Sequence, residues 1–153
     1  MQWKQPPTIK SYEALGAVAD GRLEINGNTG KCYSSSGNKF YTITYDPVQL
    51  AIMVNDNGSY WKGYLGYPAI AFLLEKGELE YKEDFGELLK GIPWKDINTK
   101  FKNDFDTTLE HILQSFSADE RAALAAYIVT LAEELKEKNL THLGKKVKPP
   151  AGY

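Results

Sequence analysis

The sequence predicts an α+β fold: an N-terminal helix, a small antiparallel sheet of three or four strands, a buried central helix, and a C-terminal bundle of three or four helices. Three observations predict it. Apolar residues recur at helical spacing before residue 20, alternate at strand spacing between residues 22 and 54, and return to helical spacing from residue 85 to 138. Between the last two blocks, residues 55–77 run from a turn through a loop of aromatics and glycines into a wholly apolar helix. The rest of the chain is organised around that stretch.

Residues 1–7 read as a loose arm with Trp3 as a possible anchor. Thr8 can cap a helix to about Ala19, with Ile9, Tyr12, Leu15 and Ala19 on one face and Asp20-Gly21 as its end. Gly16 inside that helix either weakens it or marks the close approach of a neighbour. Residues 22–26, 31–36, 39–45 and 50–54 are strand candidates, separated by turn clusters. Tyr41, Ile43 and Tyr45 share one face of the third, and Phe40, Thr42 and Thr44 share the other. Such short links imply antiparallel neighbours.

Asn57-Gly58 is a turn signal, and Pro68 suits the first turn of a helix, where its missing N–H costs nothing. Residues 69–74 contain no polar side chain, so this helix has no wet face and belongs in the core. Gly77 is its expected stop. Phe85, Leu88 and Leu89 form a short helix closed by Gly91. A stripe of Trp94, Ile97, Phe101, Phe105, Leu109, Ile112 and Phe116 follows at near-helical spacing, with Asn103-Asp104 as a possible break. Ser117 and Glu120 form a capping box for a last helix to about Lys138. Residues 1–138 thus read as one α+β domain, and residues 139–153 as a mobile, basic, proline-containing tail.

The formal charge of −2 gives no global pull toward nucleic acid or an anionic membrane. No apolar run approaches the length of a membrane span, and residues 1–10 do not resemble a signal peptide, so a cytoplasmic location is expected. A single cysteine, Cys32, rules out an intrachain disulfide. His111 and His142 have no partner legible from spacing, and no nucleophile elbow or phosphate-binding glycine motif is present. Asp104, Asp106 and Glu110 could line up on a helix, but no glycine-bearing calcium loop surrounds them, and a solvated face is the simpler reading.

The candidate ligand-binding residues are Tyr60, Trp61, Lys62, Tyr64 and Tyr67, in a loop made pliant by Gly63 and Gly66. Such rings stack on bases or sugars, or fold back to close the core with only their polar tips wet. Lys145, Lys146 and Lys148 are the one dense basic cluster and the candidate phosphate contacts.

The run Ser34-Ser35-Ser36-Gly37-Asn38-Lys39-Phe40-Tyr41-Thr42-Ile43, followed by the helix of residues 69–74, resembles a SWIM-type zinc finger, a ββα module, over residues 31–74. Gly66 and Pro68 stand where that family has its second Cys and its His, and Asn55 and Asn57, or their neighbours, stand at the cysteine pair. The resemblance implies a degenerate finger without its zinc ligands and a role in binding DNA or protein. The leading expectation is therefore a non-enzymatic binding module, contacting nucleic acid or protein through residues 55–67, without metal or cofactor. The alternative is a small-molecule or carbohydrate-binding protein, or an enzyme, with that loop as a pocket wall. A deep cavity beside the loop favours the small ligand, and a flat basic aromatic face favours nucleic acid. Self-association through the last helix is a third possibility.

Overall fold

The computed structural model describes residues 1–151, so the last two residues of the expected tail lie outside it. Helix α1 (Ile9–Ala19) leads into strands β1 (Leu23–Asn26), β2 (Thr29–Tyr33), β3 (Phe40–Asp46) and β4 (Ala51–Val54). A π-helical turn (Gly58–Lys62) and helix α2 (Tyr67–Glu75) follow. Then come α3 (Glu83–Leu88), α4 (Trp94–Lys100), α5 (Phe105–Leu113), α6 (Ala118–Glu137) and a short β5 (Thr141–His142).

The sheet corrects the expected architecture. It has five strands in the order β1-β2-β3-β4-β5, and it is mixed: the first four form an antiparallel meander, whereas β5 runs parallel to β4. The fifth strand comes from the segment read as a mobile tail. β4 would otherwise present a row of unpaired backbone groups at the sheet edge. Two terminal segments satisfy them: Thr141 N–H donates to Leu50 O at 3.0 Å and Leu143 N–H to Ile52 O at 3.1 Å, while Trp3 Nε1–H donates to Ile52 O at 3.0 Å. Leu140 is buried beside Trp3, whose N–H donates to Leu140 O at 3.1 Å. A two-residue strand is too short to show a sequence period, which is why the pattern did not reveal it.

The inner face of the sheet carries Cys32, Tyr41, Ile43, Tyr45, Ile52 and Val54, all buried, while Phe40, Thr42 and Thr44 face out. Helix α2 lies against α1 and all four meander strands. Every residue from position 68 to 74 is buried, as a helix with no polar side chain requires. Gly30 is small because α2 needs the space: a Cβ there would stand 2.8 Å from the Phe72 ring. Gly16 marks a close approach too, since a Cβ would meet Trp94 Nε1 at 2.9 Å and the Leu89 carbonyl at 3.1 Å. Gly77, at φ +79°, ends α2.

The stripe of residues 94–116 is two helices. Lys102 and Asn103 both have positive φ, at +53° and +62°, and Asp104 caps α5 by accepting from Thr107 N–H at 3.2 Å. The capping box of α6 is present, with Ser117 and Glu120 bonded reciprocally at 2.9 and 3.1 Å. Thr8 makes no side-chain cap bond to α1. Among the described residues no helix is long and apolar enough to cross a membrane.

His142 in β5 packs against Trp3, with ring centroids 3.8 Å apart and the planes tilted by 34°. Burial holds its imidazole below the ordinary 6.5, and the N-terminal ammonium and Lys146 add to the effect. A lowered folded pKa means that the unfolded chain takes up the proton first. The contribution of this group is therefore complete above pH 6.5 and is lost as pH falls through its folded pKa. Urea denaturation at pH 7 and pH 5 should show the wild type losing more stability on acidification than His142→Phe, which keeps a ring on Trp3. Equal losses would contradict the linkage.

Candidate functional site

The loop between β4 and α2 is built around a buried carboxylate. Asp56 is 6% exposed and Ser59 fully buried. Asp56 Oδ2 accepts from Ser59 N–H at 3.2 Å, and Oδ1 accepts from the Ser59 hydroxyl at 2.5 Å. The same hydroxyl accepts from Gly66 N–H at 3.0 Å, which ties the start of the loop to its end. A Cβ on Gly66 would overlap the Asp56 carboxylate, and one on Gly58 would stand 2.5 Å from the Tyr64 ring. Thus two of the glycines are small for packing, while Gly63, at φ +79°, closes the π-helical turn in a conformation that favours glycine. Burial pushes the Asp56 carboxyl above the ordinary 3.8, against the opposing pull of the Ser59 bonds and Lys10.

Both chain termini brace this loop from outside. Lys4 N–H donates to Gly63 O at 3.0 Å and Leu65 N–H to Lys4 O at 3.3 Å. The Lys146 ammonium donates to Tyr60 O at 3.2 Å. Asn55 uses its amide as a splice between β3 and the C-terminal segment. It accepts from Thr42 N–H at 2.8 Å and donates to Lys148 O at 3.2 Å.

Beside the loop lies an open cleft of about 810 Å³. Trp61, Lys62, Tyr64 and Tyr67 line it from the loop, and Lys10 and Glu13 from α1. Ser34, Ser35 and Tyr41 come from the β2–β3 connection and β3, and Trp94, Lys95 and Asn98 from α4. Four of the five loop residues expected from the sequence therefore meet at one cleft. Trp61 is 70% exposed, whereas Tyr64 and Tyr67 are partly buried. Tyr60 is not in the lining, but its ring packs edge-on against Trp61, with centroids 4.7 Å apart at 84°. The ring of Tyr67 meets Tyr41 edge-on at 6.2 Å and carries the Arg22 guanidinium 5.8 Å from its centroid. Burial pushes the Tyr67 hydroxyl well above its ordinary pKa, so it stays protonated and offers a hydrogen bond. The lysines expected to meet phosphate are exposed and none lines the cleft; of the three, Lys146 reaches the loop through its side chain.

Lys10, Glu13 and Asn98 are among the cleft residues that the sequence did not single out. Glu13 is 2% exposed in a helix where its neighbours Tyr12 and Ala14 are buried as well. Its carboxylate pairs with Lys10 at 3.2 Å and accepts from Asn98 Nδ2–H at 2.8 Å. The Lys10 ammonium also sits 4.3 Å from the Phe105 ring centroid. The i,i+3 spacing of Lys10 and Glu13 was available as a signal. The Asn98 bond spans 85 positions and left none.

Burial pushes the Cys32 thiol up to about 12, and Cys32, His111 and His142 do not line the cleft. Among the described residues no group of three or more His, Cys, Asp or Glu side chains is placed to hold a metal ion.

Neither the curated proteins nor the solved structures contain a match to this chain. A family model described as "Uncharacterised conserved protein UCP014422" matches residues 3–141, a span that includes the whole cleft and leaves out Lys145, Lys146 and Lys148. On that match the chain belongs to the UCP014422 family.

Proposed function

We propose that this protein binds a small polar ligand in the cleft, with Trp61 as the ring on which the ligand stacks. The observation that carries the reading is the state of Trp61: 70% exposed, at the edge of a cleft of about 810 Å³, on a loop braced at both ends. An indole held out on a fixed loop retains apolar area that a ligand can cover without an ordering cost to the loop. The volume falls within the range of small-molecule sites, about 300–1,000 Å³. Tyrosine hydroxyls, serines and asparagines supply the orienting polar groups.

A strand of nucleic acid would need a flat, basic, aromatic face, and here the rings line a concavity to which Lys145 and Lys148 do not contribute. The binding is read as non-catalytic because both carboxylates of the cleft are engaged within the protein: Glu13 with Lys10 and Asn98, Asp56 with Ser59.

Trp3 and Trp94 are buried, so the exposed emission of the protein comes from Trp61. A panel of nucleotides, sugars, sugar acids and amino acids should contain a compound that shifts this emission to the blue and shields it from acrylamide. Trp61→Ala should weaken that compound by about 1–3 kcal/mol, the loss on removing a stacking ring. If no small compound shields Trp61 but a labelled single strand or a protein does, the small-ligand reading falls.

A further inference from the structure

We infer that the ligand is a small molecule with a ring that packs on an indole, a base or a pyranose, and an acidic group, a carboxylate or a phosphate, with the ring on Trp61 and the acidic group at Lys62. This rests on the cleft being a ligand site. Five charged side chains line the cleft: Lys10, Lys62, Lys95, Glu13 and Asp56. Cations exceed anions, and the anions are not open to a ligand. Glu13 is held by Lys10 at 3.2 Å and by Asn98 at 2.8 Å. Asp56 is capped by Ser59, and the Gly66 backbone packs against its carboxylate. A cationic ligand would therefore meet a net positive wall with no carboxylate to receive it.

Lys10 is committed to Glu13 and to the Phe105 ring, and Lys95 is engaged in an interaction of its own. Lys62 is different. It is exposed, adjoins Trp61 in the π-helical turn, and makes no hydrogen bond or ion pair among the described residues. Its ammonium is the cation of the cleft that an acidic ligand can meet without breaking an existing bond. A second observation concerns the rest of the ligand. Asn98 lines the same cleft, and its Oδ1 is buried without a hydrogen-bond partner. A buried acceptor without a donor is costly, and a small turn of the amide toward the cleft would let a ligand hydroxyl or amino group satisfy it. A ring with an acidic group and a hydrogen-bond donor describes both nucleotides and sugar acids.

The test is isothermal titration with two matched pairs, adenosine against adenosine monophosphate and galactose against galacturonic acid, at low and high salt. The acidic member of at least one pair should bind about two- to fivefold more tightly at low salt, the range for a partly exposed charge pair. High salt should narrow the gap. Lys62→Gln should close it while leaving the neutral member unchanged, and Lys145→Gln, outside the cleft, should preserve it. Whichever pair shows the gap identifies the source of the acid. Equal affinity within both pairs, or an equal loss for both members in Lys62→Gln, overturns the acidic group and leaves the ligand reading standing. Binding by no member of either pair, with Trp61 emission also unmoved by the wider panel, overturns both.

Discussion

Phe72→Ala should destabilise the protein by about 3–5 kcal/mol, the usual cost of truncating a fully buried ring. Phe72 is 0% exposed in the middle of α2. Its ring meets Tyr45 edge-on at 6.2 Å, and β2 places a glycine, Gly30, beneath it. The surrounding backbone is fixed by sheet pairing on one side and by α1 on the other, so the hole cannot close by collapse. Denaturant unfolding of wild type and variant measures the difference. A change below about 1 kcal/mol would contradict the central position of α2.

Asp56→Ala is expected to cost about 2–4 kcal/mol, because two buried donors of Ser59 lose their acceptor at roughly 1–3 kcal/mol each. The cost stays below the full sum because burial already opposes ionisation of this carboxyl. Gly66→Ala alone should cost about 1–3 kcal/mol, since its Cβ overlaps the same carboxylate. The double variant is the informative one. With Asp56 reduced to alanine, the space is vacant and the Cβ fits. The two losses should then fall short of additivity by about 0.5–3 kcal/mol. Additivity within about 0.5 kcal/mol would mean that Asp56 and Gly66 do not form one packed unit. The same variants should loosen the loop, so ligand shielding of Trp61 should weaken in Asp56→Ala even under conditions where the fold persists.

Local rules exposed much of this design. The apolar run of α2, the strand alternation around Ile43 and the capping box at Ser117 each depend on neighbours a few positions away, and each could be read directly. The break at Lys102 and Asn103 was foreshadowed by the residue types but not by the apolar stripe, which continues across it. The fifth strand left no local trace: Thr141 and His142 become a strand because β4 has an open edge, which is a property of the assembled sheet. The loop rings were legible as candidates, since so many aromatics beside glycines is conspicuous. Their polar counterparts were not. Glu13 reads as one more charge on an N-terminal helix, and Asn98 as a polar position on a later one; only folding brings them to 2.8 Å. Asp56 reads as a turn residue, although its main role is to hold Ser59.

The direct test of the cleft is an amide and indole chemical-shift map recorded while the tightest compound of the panel is added. The account predicts the largest shifts at the Trp61 indole N–H and at the amides of Lys62, Tyr64 and Asn98, with Trp3 and the outer sheet residues Thr42 and Thr44 unmoved. Shifts centred on the outer sheet face or on Lys145 and Lys148, with the Trp61 indole unchanged, would contradict it.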